Sequence, residues 1–183
     1  MKYKQWNDLP AVSSQALERA GIPALCARVL ARRGMTDCSE ALRFLYEEPG
    51  LRDPMDMKDM DKAASRLRQA LEKGETIAVY GDYDVDGITS TCLLSDFLHR
   101  EGAHVIPYIP NRLEEGYGLN RGAVEKLARE GAKVVVTVDC GITAVEEARY
   151  AESLGLSVII TDHHECKEEL PHAVAVVDPH RPD

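Results

Sequence analysis

The strongest constraint on the fold is an alternation that starts at residue 76. Short apolar, β-prone runs recur at 76–80 (TIAVY), 104–109 (HVIPYI), 133–138 (KVVVTV), 157–161 (SVIIT) and 173–177 (AVAVV). Segments of helical periodicity separate the first four, near 88–101, 121–130 and 143–154. Strands apolar at nearly every position are buried on both faces, so the pattern predicts an α/β fold: a parallel β-sheet flanked by helices. Ligands in such sheets gather beyond the C-terminal ends of the strands.

The polar residues fall there. The first strand runs into Asp82, Asp84 and Asp86, the third into Asp139, Cys140 and Gly141, and the fourth into Asp162, His163, His164 and Glu165. In DYDVDG (82–87), three carboxylates at alternating positions repel one another unless a cation lies between them, and Gly87 supplies backbone freedom that closes the turn. An EF-hand loop shares the spacing, but its twelfth position would be Leu93 rather than a glutamate. A solvated acidic turn is the other reading of this stretch. Taken singly, Asp139 reads equally well as a helix cap, and His163 reads better as an ordinary hydrogen-bonded histidine. The coincidence of three acidic strand ends favours one shared site, and a mixed Asp and His ligand set suits Mn²⁺ better than Ca²⁺, with Mg²⁺ as the alternative.

The second strand ends in PNRLEEGYGLN (110–120), where Arg112 offers a planar fork for phosphate and Tyr117 lies between Gly116 and Gly118 in a loop able to close over a ligand. An exposed loop with an incidental arginine explains this segment equally well by itself. Acids, two histidines and an arginine together describe a metal-dependent phosphoryl hydrolase. No GxxxxGK[ST] loop supports P-loop chemistry.

Residues 1–75 read as a helical extension that packs on the domain at 76–183. Pro23 opens one helix through Leu30, Ser39 caps another through Tyr46, and Asp59 precedes a third that ends at Gly74. Trp6, the single tryptophan, reads as a buried residue rather than a base-stacking one. The net charge of −9 speaks against a broad basic face for duplex binding, although bound cations would offset part of it. Five cysteines without Cys-x-x-Cys spacing suggest reduced thiols and a cytoplasmic protein, and no run of about 18 apolar residues predicts a membrane span.

At DYDVDG with TDHHE (161–165) the sequence resembles the DHH phosphoesterase superfamily. IPNRLEEGYGLN (109–120) with TVDCGI (137–142) narrows the resemblance to RecJ-like single-stranded-DNA-specific exonucleases. The resemblance implies two divalent cations, Mn²⁺ or Mg²⁺: Asp84 and Asp86 would each bind one, Asp139 would bridge both, and His163 would complete the set. It makes Asp82 and Asp162 outer ligands or anchors, His164 the histidine that faces the scissile phosphate, and Arg112 a holder of the nucleic-acid backbone. The implied activity is 5′ to 3′ release of mononucleotides from single-stranded DNA in recombination and repair, with a single-stranded-DNA-binding protein as a further partner. Family members continue well past the point corresponding to Asp183, so the resemblance also implies a further metal-binding aspartate and substrate-closing domains beyond it, and weak metal binding by these residues alone.

Overall fold

The structure, a computed structural model, describes residues 12–47, 50, 52–113, 115–116 and 118–183. Trp6 and Tyr117, for which the sequence suggests roles, lie outside the described residues. Contacts divide the chain between Arg52 and Asp53.

The first unit contains α1 (Gln15–Arg19), α2 (Ala24–Arg32) and α3 (Cys38–Tyr46). They bury Leu17, Ile22, Ala27, Leu30 and Ala41 among themselves. Pro23 precedes α2 as its N-cap, but Asp37, not Ser39, caps α3: its carboxylate accepts the Glu40 amide at 2.8 Å.

The second unit begins with α4 (Met60–Lys73), which ends on left-handed Gly74, φ 65°. Although the sequence groups this helix with the extension, it packs against the sheet and belongs to the unit that starts at Asp53. There follow β1 (Thr76–Gly81), α5 (Val85–Arg100), β2 (Val105–Tyr108), α6 (Arg121–Arg129), β3 (Ala132–Val138), α7 (Val145–Ser153), β4 (Ser157–Thr161) and β5 (Ala175–Val177). All pairings are parallel and the strand order is β2-β1-β3-β4-β5. Side-chain alternation sends Ile77, Val79, Val134, Val136 and Ile159 to the face covered by α4 and α5. Ala78, Tyr80, Val135, Val158 and Ile160 go to the opposite face, with Val124 and Leu127 of α6 and Ala151 of α7. β2 is an edge strand and therefore tolerates Pro107, which has no amide for a second neighbour.

The strand order reverses at β1. The chain moves outward to β2 and then returns to place β3 on the other side, which opens a crevice beyond the C-terminal ends of β1 and β3. Asp82, Asp84 and Asp139 stand at that switch point.

Candidate metal centre

The β1 end is shaped by two close approaches. A Cβ on Gly87 would lie 2.3–2.6 Å from the Asp82 backbone, and one on Gly81 would lie 2.0 Å from Thr91 Oγ1 and 2.6 Å from the Gly87 carbonyl. The need for glycine at 87 is thus space rather than unusual backbone angles, because Gly87 lies within α5 and is not left-handed. The helix also starts at Val85, three residues before the sequence suggests. Asp84 is its N-cap, and one oxygen accepts the amides of Asp86 (2.9 Å) and Gly87 (3.0 Å). The Gly87 amide is the main cause that holds the Asp84 carboxyl below the usual range. Asp82 is buried and its Oδ1 has no hydrogen-bond partner. Asp86, in the first turn of α5, is exposed, and it lines a groove with Asp139, Asp162 and His163.

Asp139 follows β3 in the left-handed region, φ 60°, which only a minority of non-glycine residues adopt. Its amide bonds the Thr161 carbonyl at 3.1 Å, its Oδ1 lies 2.8 Å from His163 Nε2, and its Oδ2 is buried without a partner. Burial raises its pKa most; the neighbouring Asp84 carboxylate adds to the rise and His163 opposes it. Next to it, the fully buried Cys140 thiol donates to the Tyr80 carbonyl at 3.8 Å, and burial pushes its pKa up.

At the β4 end, Asp162 is occupied by protein donors. Its Oδ2 accepts the Ile142 amide (2.9 Å), while its Oδ1 accepts the amides of His163 (2.7 Å) and His164 (3.2 Å) and lies 2.7 Å from His164 Nδ1. That bond is the main cause that raises the His164 pKa. Asp162 therefore orients its neighbours and leaves little capacity for a cation of its own. The two histidine rings lie 4.7 Å apart, centre to centre, and both are partly exposed.

Two carboxylate and imidazole triads overlap here. Ligand-type atoms of Asp82, Asp84 and Asp139 all lie within 4.8 Å of one another, as do those of Asp139, His163 and His164. Asp139 belongs to both. Exposed acids gather without cations, but Asp82 and Asp139 are buried at 3% and 8% exposure, each with an orphaned oxygen. An unsatisfied buried acceptor costs about 1–3 kcal/mol, and more when charged. A hard divalent cation repays that cost through oxygen and imidazole donors, so the residues present fit Mn²⁺ or Mg²⁺.

Arg112 is carried by the turn after β2, and its guanidinium carbon stands 5.1 Å from the Tyr83 ring centre, beside the acidic turn rather than inside either triad. The described part of its loop is anchored. The Tyr80 hydroxyl donates to the Gly118 carbonyl (2.8 Å) and accepts from Asn120 Nδ2 (3.1 Å). Glu115 accepts the Tyr108 hydroxyl (2.6 Å) and the Asn111 amide (2.7 Å). Sequence reading missed these anchors, whose partners Tyr80 and Asn120 are 40 residues apart. Asp178, the first residue of an Asp-Pro dipeptide, is buried at the β5 end, with Oδ1 accepting the His180 amide (2.7 Å) and Oδ2 unpartnered.

Known proteins resemble this chain in sequence and in fold. Single-stranded-DNA-specific exonuclease RecJ of Bacillus subtilis is 45% identical over 166 residues, which are 90% of this chain and 21% of that protein. RecJ of Escherichia coli is 38% identical over 165 residues, 90% of this chain and 28% of that protein. The chain thus spans 21% to 28% of the length of these relatives. A crystal structure of exonuclease RecJ bound to manganese superposes with a TM-score of 0.66 at 41% identity, covering 73% of this chain and 34% of that one. RecJ of Thermus thermophilus in complex with Mn²⁺ gives 0.66 at 29% identity, with 95% and 25% covered. The profile of the DHH family, N-terminal domain, matches residues 76–183. On that match, and on the parallel sheet whose strand ends carry the acids and histidines, this chain belongs to the DHH family.

Proposed function

We propose that these residues form the metal-binding part of a 5′ to 3′ exonuclease that hydrolyses single-stranded DNA to mononucleotides in recombination and repair. The observation that carries the reading is Asp139, shared by two triads and holding a buried oxygen with no partner. The similarity to RecJ supplies the substrate class. Asp82, Asp84 and Asp139 would hold one cation, and Asp139 with His163 the other, with Asp86 at the rim. Bound there, paired divalent ions supply a water of lowered pKa and neutralise charge at the scissile phosphodiester.

The chain's own residues do the rest. Asp162 fixes the His164 ring through Nδ1, so the imidazole is presented to the phosphate in one orientation. Arg112 meets the nucleic-acid backbone with its planar fork, and the anchored loop keeps it close to the acidic turn. Tyr117 would contribute to substrate binding. We place the activity in the cytoplasm, where a single-stranded-DNA-binding protein would present the substrate. None of the described helices is long and apolar enough to cross a membrane.

The test is digestion by the intact protein with Mn²⁺, using 5′-labelled single-stranded DNA, the same sequence as a duplex, and inorganic pyrophosphate. Mononucleotides released from the single strand alone support the proposal. Turnover of pyrophosphate with the DNA left intact overturns it in favour of another phosphoesterase chemistry.

A further inference from the structure

We infer that Tyr83 is a positioning residue whose ring holds the Arg112 guanidinium beside the acidic strand ends, so that the arginine meets the phosphodiester already oriented. The inference rests on the reading of this site as one that hydrolyses single-stranded DNA, and it assigns a job to the residue between the buried Asp82 and the capping Asp84.

Tyr83 has an unusually well-fixed base. On one side Asp82 is buried against Gly87, and on the other Asp84 is locked as the α5 cap. Its ring faces the Arg112 guanidinium at 5.1 Å, within the range of a cation–π contact. The arginine's own backbone is held as well. Asn111 donates its amide to Glu115, and the Asn111 side chain accepts the Leu113 amide at 3.0 Å. Hydrogen bonds thus tie down the backbone on both sides of this contact.

Stacking and phosphate binding use different parts of the guanidinium. The ring takes the face, whereas phosphate oxygens take N–H groups in the plane, two at a time. The contact therefore orients Arg112 without competing for its donors. A long side chain loses rotamer freedom when it binds, and one already stacked has less to lose. The effect belongs in substrate binding more than in the chemical step.

The experiment is a double-mutant cycle in the intact protein, reading kcat, KM for single-stranded DNA and Mn²⁺ affinity by calorimetry. Tyr83→Leu is expected to raise KM by about 2- to 30-fold, the range of one cation–π contact, with a smaller change in kcat. Tyr83→Phe, which keeps the ring, restores KM to within about 2-fold of wild type. Tyr83→Leu leaves Mn²⁺ affinity unchanged, and added to Arg112→Ala it costs little more than Arg112→Ala alone. Additive effects, a Phe variant as poor as Leu, or lost Mn²⁺ affinity in Tyr83→Leu would overturn the role. A wild-type protein that leaves single-stranded DNA intact overturns the functional reading itself, whereas an active wild type with an additive cycle overturns only the stack.

Discussion

Asp139→Asn separates metal binding from folding. In the metal-free protein the Asp139 carboxylate is 8% exposed, has one oxygen without a partner, and shares its surroundings with the Asp84 carboxylate. Its pKa is raised by folding. A raised carboxylate contributes stability below its unfolded value and loses it as pH rises through the folded value, so at neutral pH the charge is a liability. Asparagine keeps the size and an acceptor for His163, removes the charge and tolerates the left-handed backbone. Without metal, Asp139→Asn should stabilise the fold by about 1 kcal/mol, the low end of what an unsatisfied buried acceptor costs. For a chain of this length that corresponds to a Tm increase of roughly 2–4 °C. With Mn²⁺ at ten times its dissociation constant, wild type gains about 1.4 kcal/mol by mass action and the variant almost nothing, so the order of stabilities reverses. Thermal melts in EDTA and across a Mn²⁺ series read both halves. A variant that melts lower than wild type in EDTA, or gains as much from Mn²⁺, would refute the reasoning.

Other outcomes follow from particular contacts. Gly87→Ala drives a methyl into the Asp82 backbone at 2.3–2.6 Å, and should cost about 3 kcal/mol or more because backbone has to move; denaturant melts measure it. Tyr80→Phe strands the Gly118 carbonyl and the Asn120 amide, for a loss of about 1–2 kcal/mol and faster proteolysis within 109–120. Asp59, whose carboxyl binds Lys62, Arg181 and the Val176 amide, has its pKa held down to about 2 against the opposing effect of burial. Its contribution, on the order of 1–2 kcal/mol after solvent screening, is present above pH 4 and is lost as pH falls toward 2. Asp59→Asn should flatten that limb of the stability–pH curve.

Much of the fold is legible in the sequence because parallel strands buried on both faces leave long apolar runs, as at 133–138 and 157–161. The site is legible for a related reason: Asp82, Asp139 and Asp162 each directly follow a strand, and the parallel sheet brings those ends to one edge. Misreadings occur where tertiary contact overrides the local signal. The start of α5 looks like a turn because three acids and a glycine seldom sit in a helix interior, yet Asp84 converts them into a capped first turn. Gly87 answers to the nearness of Asp82, a packing demand that no local pattern records. The resemblance leaves Asp162 as an outer ligand or an anchor, and the geometry adds that its oxygens are taken by four donors. The run at 173–177 announces β5, but no local pattern records that the Asp178 which follows it is buried.

In the proposed site Asp139 is shared between two cation positions. The most direct measurement is an anomalous difference map at the manganese edge from crystals of the intact protein grown with Mn²⁺. Two peaks, one bounded by Asp82, Asp84 and Asp139 and the other by Asp139 and His163, are the predicted result. A single peak away from Asp139, or none at full Mn²⁺ occupancy in solution, would contradict it.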